Sequence, residues 1–168
     1  GLHGKHEDEE IRTLPLVETT WKTLKDFYPN AGVFTNSVGL KSAFESSMQD
    51  PESSIEVARS PLPQVYGILD RTEVKAYTLD LFPGELGLIS TSLQSGGKIV
   101  VAGSSTHHYI VSFMTDYPME PVTGEFPIIM KDETGTLWTI FGEAISGDRG
   151  GEKLESPPAY SASDWAWE

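Results

Sequence analysis

Four residues, Asp132-Glu-Thr-Gly135, sit between two runs that read as strands, and they commit this part of the chain to a β-hairpin. The run before them, Phe126-Pro-Ile-Ile-Met130, is apolar and β-branched. The run after them, Thr136-Leu-Trp-Thr-Ile140, alternates polar and apolar side chains. Gly135 can take a positive φ without a Cβ clash, and Asp132 can accept backbone N–H bonds at the turn entry. Beyond the second strand, Gly142, Gly147, Gly150 and Gly151 recur within a short span, a sign of tight turns or close backbone approach. A phosphate cradle does not fit them. Lys153 follows Glu152 rather than Gly, no Ser or Thr comes next, and no strand-to-helix pattern frames the loop.

The same periodicity extends upstream. Short strands are expected at 65–69, 74–79, 86–90, 98–103, 109–114, 126–130 and 136–141, with turns at Asp70-Arg-Thr72, Gln94-Ser-Gly-Gly97 and Thr134-Gly135. Pro118 and Pro121 mark a loop, and Pro127 suggests an edge strand. Before Gln64 the spacing turns helical. Thr19 or Thr20 can cap a helix in which Trp21, Leu24 and Tyr28 share a face, and Leu40, Ala43, Phe44 and Met48 suggest a second that ends at Asp50-Pro51. Both stripes read as core or docking surface. The expected class is mainly β (α+β): a curled antiparallel sheet or small barrel-like domain with one or two N-terminal helices. Its organisation would be an acidic tail at 1–12, a helical segment at 13–60 docking on a β domain at 61–168, and one compact domain overall.

Several features in the 131–154 segment, taken together, resemble the bacterial domain of unknown function 3179 family. Its members carry an acidic turn running into Thr-Gly-Ser-x-Trp, then Gly-x-Ala, then a Gly-containing turn before Leu. The matching residues are Asp132, Thr134, Gly135, Trp138, Gly142, Glu143, Gly147 and Leu154, with Thr136 at the Ser position. Val74-Lys-Ala-Tyr77 and Lys98-Ile-Val-Val-Ala102 are similar to two further family strands. Leu14-Pro15, Trp21 and Phe27-Tyr-Pro29 look like the family's closing segment, and Leu154, Pro157-Pro158 and Asp164-Trp-Ala-Trp-Glu168 echo it. The resemblance therefore implies the second half of a duplicated protein, with the pattern stopping short at Glu168. Many members carry a Cys-x-x-Cys box, spaced as a metal or redox site, that aligns on Ser104-Ser-Thr-His107. The chain has no cysteine, so neither thiolate is present.

A net charge of −13 opposes nucleic acid and anionic lipid as partners, and no apolar run is long enough to insert in a bilayer. The acidic run Glu7-Asp-Glu-Glu10 reads as a solvated tail. The opening residues suggest a removed leader, and with the family resemblance they point to export, periplasmic or cell-surface. Zero cysteine suits an oxidising compartment, and a cytosolic location stays open. Gly1-Leu2-His3 has the donor order for Cu(II) or Ni(II), read here as incidental.

Four residues are candidates for a polar site. His107 and His108 offer imidazoles, although neighbours on a strand face opposite ways. Glu143, set among glycines, is expected to accept several backbone N–H bonds and lock its loop. Asp132 is given the same structural reading. Tyr77, Tyr109, Trp138, Trp165 and Trp167 are candidates for a ligand-stacking groove, although most of them are expected in the core and Trp138 is read as filling one. The leading expectation is a non-catalytic exported structural or interaction domain, partnered by its upstream half or a second copy and needing no metal or cofactor. The alternatives are a carbohydrate- or peptide-binding module with an aromatic groove, and a metal-dependent enzyme built on His107, His108 and Glu143. No catalytic triad order, metalloprotease helix or nucleotide fingerprint favours an enzyme.

Overall fold

A computed structural model of the chain describes residues 16–32, 64–71 and 73–163. The second helix expected around 40–48, the acidic tail, Gly1-Leu2-His3, Trp165 and Trp167 lie outside these residues.

The first element is a short helix, α1 (Trp21–Phe27). Thr20 stands before it in an extended conformation, and its side-chain oxygen accepts the Thr23 N–H at 3.2 Å, the capping role its residue type favours. Tyr28 closes the helix ahead of Pro29, which disfavours helical backbone in the residue before it. The expected Trp21–Leu24–Tyr28 stripe does not become core. Trp21 and Tyr28 are exposed, and the helix docks through buried Thr23 and through Phe27, because the ring of Phe27 finds a stacking partner on the β region.

Among the described residues ten antiparallel strands follow: β1 (Gln64–Asp70), β2 (Glu73–Tyr77), β3 (Gly87–Ser92), β4 (Lys98–Ser104), β5 (Tyr109–Met114), β6 (Met119–Pro121), β7 (Ile128–Asp132), β8 (Leu137–Thr139), β9 (Ala144–Ser146) and β10 (Ala159–Ser163). A one-turn 3-10 helix, Leu79–Leu81, joins β2 to β3. The domain is mainly β. Instead of one curled sheet or a barrel, the strands form three sheets in the orders β10-β1-β2, β3-β4-β5 and β6-β7-β8-β9.

The middle sheet explains this division. Along β4 and β5, Val100, Ala102, Tyr109, Val111 and Phe113 enter one core with Met130, Trp138 and Ile140 of the third sheet and its turn. Ile99 and Val101 point the other way and pack with Ile68 and Tyr77 of the first sheet and with Phe82. Both faces of β4 are therefore covered, which is why Ile99-Val-Val-Ala102 is uninterrupted apolar sequence rather than an alternating strand. Tyr66 also crosses from the first sheet to the middle one, its hydroxyl 2.8 Å from Ser112 Oγ.

Four elements differ from their sequence expectations. The residues between Pro118 and Pro121, expected as loop, include β6, an outer strand where a proline without an N–H costs no ladder bond. Pro127 is not part of an edge strand; it immediately precedes β7, which is paired on both sides. Strands β9 and β10 had no hydrophobic alternation to announce them. β9 is three residues inside the glycine-rich stretch, and the small side chains of β10 are held by five-residue pairing with β1.

Candidate functional site

The family-like motif closes around one buried carboxylate. Asp132 ends β7, and its Oδ1 accepts the Thr134 N–H at 2.9 Å, the Thr134 hydroxyl at 2.7 Å and the Thr136 N–H at 3.1 Å. Its Oδ2 accepts the Trp138 indole N–H at 3.2 Å. The hairpin's backbone closes beneath, with Asp132 N–H on Thr136 O and Gly135 N–H on Asp132 O, and Gly135 takes φ 82°. Thr136 Oγ1 lies 3.0 Å from Thr134 Oγ1, whose own proton goes to the carboxylate.

The glycine-rich loop brings the countercharge. Arg149 Nε lies 3.2 Å from Asp132 Oδ2, and its guanidinium stacks 3.7 Å over the Tyr117 ring, which in turn stacks on Trp138. The buried Nε is near enough for Coulombic attraction but makes no aligned hydrogen bond. Gly147 lets the loop come this close. A Cβ there would sit 2.7 Å from the Thr136 Cα, so only hydrogen fits between the loop and the hairpin. Further along, Gly151 N–H donates to Ala144 O, and Leu154 N–H to Gly142 O.

Burial alone would raise the Asp132 pKa. The hydrogen bonds from Thr134, Thr136 and Trp138 more than offset it and hold the carboxyl below its ordinary value. A carboxylate kept ionised, buried and surrounded by donors is a weak base. It is suited to holding strands together. Asp70 plays a lesser version of this part in the β3–β4 turn: burial is again overcome, by Ser95, by the Gln94 and Ser95 amides and by Arg71 nearby, and its pKa is lowered.

Glu143 does not do what its setting suggested. Its carboxylate accepts from Lys153 Nζ at 3.0 Å on the surface, and the loop is tied by backbone instead, with Glu143 N–H on Thr139 Oγ1 and Thr139 N–H on Glu143 O. The role expected for Glu143 belongs to Asp132, because the shorter side chain at the strand end lies within reach of the turn amides. Gly142 and Leu154 complete the motif from inside, both buried.

His107 and His108 fall in the turn between β4 and β5, and they serve different surfaces. His107 lines a cleft of about 350 Å³ with Phe27, Glu85 and Phe126; exposed His108, at φ 54°, lines another of about 450 Å³ with Glu18, Gln64 and Tyr66. Neither cleft includes Glu143. Among the described residues no group of three or more His, Asp or Glu side chains is placed to hold a metal ion.

Of the proposed stacking aromatics, Tyr77, Tyr109 and Trp138 are core residues; their rings fill the two interiors because those faces of the sheets are covered. Burial pushes the Tyr109 phenol up to about 12 and raises Tyr77 as well. Tyr109, although buried, also lines both clefts, and at the first of them Phe27 stacks on Phe126 at 3.6 Å and tilts against His107 at 4.8 Å.

Residues 104–107 are tied into the fold by hydroxyl and backbone bonds. Ser104 is fully buried; its Oγ accepts the His107 N–H at 2.9 Å and donates to Gly84 O, while Ser105 Oγ accepts the Gly84 N–H. Arg149 and Tyr117 are the contributors that sequence reasoning missed. The only signal for Arg149 was its position as the one cation between Gly147 and Gly151.

The model of a family described as "Protein of unknown function (DUF3179)" matches residues 1–168. No curated protein and no solved structure matches the chain.

Proposed function

This chain belongs to the DUF3179 family, and from that membership and the way its motif residues are used, we propose a non-catalytic domain with a structural or interaction role. The single observation that carries the reading is the state of Asp132, buried, ionised and bonded by Thr134, Thr136 and Trp138 with Arg149 alongside. The motif's side chains are spent on one another rather than presented to a ligand.

In this reading the domain is an exported half of a duplicated bacterial protein, and its partner is the upstream half or a second copy. The lack of cysteine and the family resemblance support export, and hydroxyl and backbone bonds at 104–107 support a half without thiol chemistry. Full-length protein recovered in the periplasmic or surface fraction is the expected outcome of cell fractionation. Recovery in the cytosol alone would remove that part of the reading.

Substitution separates a structural motif from a catalytic one. Arg149→Met leaves the Asp132 charge without its cation and is expected to lower stability by about 2 kcal/mol, less than a fully buried pair because Arg149 is partly exposed. Trp138→Phe removes one donor and some packing, for about 1.5 kcal/mol. In thermal unfolding these correspond to decreases in Tm of about 6 and 4 °C. Catalytic residues tend to be held at the expense of stability, so an unchanged or raised Tm in both variants would favour an active site.

A further inference from the structure

The cleft beside His107 is a different kind of place from the Asp132 lock, and the geometry points to a binding site there for a small organic cation, an ammonium group carried on an apolar body. It stands independently of the role proposed for the motif.

Several elements build the cleft: α1 supplies Phe27, the segment before β3 supplies Glu85 and Leu86, the β4–β5 turn supplies His107, and the loop between β6 and β7 supplies Thr123 and Phe126. Its apolar wall is a set of rings in contact, Phe27 on Phe126 at 3.6 Å and 10° and Phe27 against His107 at 4.8 Å, with Tyr28 edge-on to Phe126 at 5.9 Å. Leu86 and Ile129 continue the apolar lining. Such a surface takes up an alkyl or aryl body, and about 350 Å³ is the size of a small molecule rather than a polymer.

The electrostatics select the sign. Among the described residues Glu85 is the one carboxylate in the lining, no Lys or Arg lines the cleft, and the Glu85 and Thr123 side chains have no hydrogen-bond or ion-pair partner. Aromatic faces attract cations through their quadrupoles, and a chain with net charge −13 adds a field of the same preference. An anion would meet repulsion from Glu85 and no Lys or Arg among the described lining residues to offset it. A neutral ligand would leave the carboxylate unused.

The test is an amide NMR titration of the 168-residue chain with two probes of the same shape, 2-phenylethylamine and phenylacetate. Saturable shifts from the amine centred on Phe27, Thr123 and Gly124, with none from phenylacetate, are the expected result. Glu85→Gln, a change at an exposed and unpaired carboxylate, should leave the fold intact and weaken amine binding about fivefold. Equal response to both probes, saturable shifts elsewhere, no saturable shift, or unaltered affinity in Glu85→Gln would each overturn the assignment.

Discussion

Asp132→Asn is expected to destabilise the domain by about 4 kcal/mol, since hydrogen bonds to a charged acceptor contribute about 1.5–3 kcal/mol each without adding fully. The carboxylate accepts from Thr134, Thr136 and Trp138 with Arg149 3.2 Å away, and an amide in its place would turn an N–H toward some of these donors. The Arg149 charge would also lose its counterion while partly buried. Urea unfolding should show a lower midpoint at constant slope, and Asp148→Asn, an exposed neighbour, should stay within about 0.5 kcal/mol of the parent. A loss below about 1 kcal/mol at Asp132 would mean that the hairpin holds without its carboxylate.

The same residue sets an acid limit. The folded pKa of Asp132 is lowered relative to about 3.9 in the unfolded chain, so its contribution is complete above the unfolded value and is lost as pH falls through the folded one. Stability should therefore decline below about pH 4, and more steeply in the parent than in Asp132→Asn. Asp70, also lowered, acts in the same window, so the variant keeps part of the decline.

Gly147→Ala is the second large effect, expected at about 3 kcal/mol. Positive φ costs an L-residue about 1–2 kcal/mol, and here a Cβ would also stand 2.7 Å from a backbone atom of Thr136 that is fixed by the hairpin. The loop would have to lift, carrying Arg149 away from Asp132. Gly135→Ala provides the control, because Gly135 shares the positive φ, at 82°, but has nothing within 4 Å of a Cβ. Its cost should stay near 1–2 kcal/mol. Equal losses in the two variants, measured by the same urea titration, would show that close approach at Gly147 contributes nothing.

These two predictions rest on different degrees of legibility in the sequence. The hairpin was readable because its signals are local: a turn acid, a turn glycine and strands of opposite pattern lie within fifteen residues. Tyr109–Met114 was likewise legible as a short run of apolar, strand-forming residues. What pairs with a hairpin from outside is not local. Arg149 reaches Asp132 from seventeen positions on, through a loop conformation that depends on Gly147, and nothing in Gly147-Asp-Arg-Gly150 states where its cation will lie. The same limit applies to the clefts, where Phe27 and Phe126 meet although the chain separates them by nearly a hundred residues. Trp138 was readable both ways. A residue type suited to stacking on ligands was equally suited to filling a core, and only the covering of the sheet decides between them.

The middle sheet has a further consequence for how the domain comes apart. Ile99-Val-Val-Ala102 is at once the boundary of both interiors, its successive side chains assigned in turn to one and to the other. Neither interior can melt while β4 stays in place without baring apolar surface that belongs to the remaining one. The described β region thus behaves as a single cooperative unit, and its two halves share one fate on unfolding.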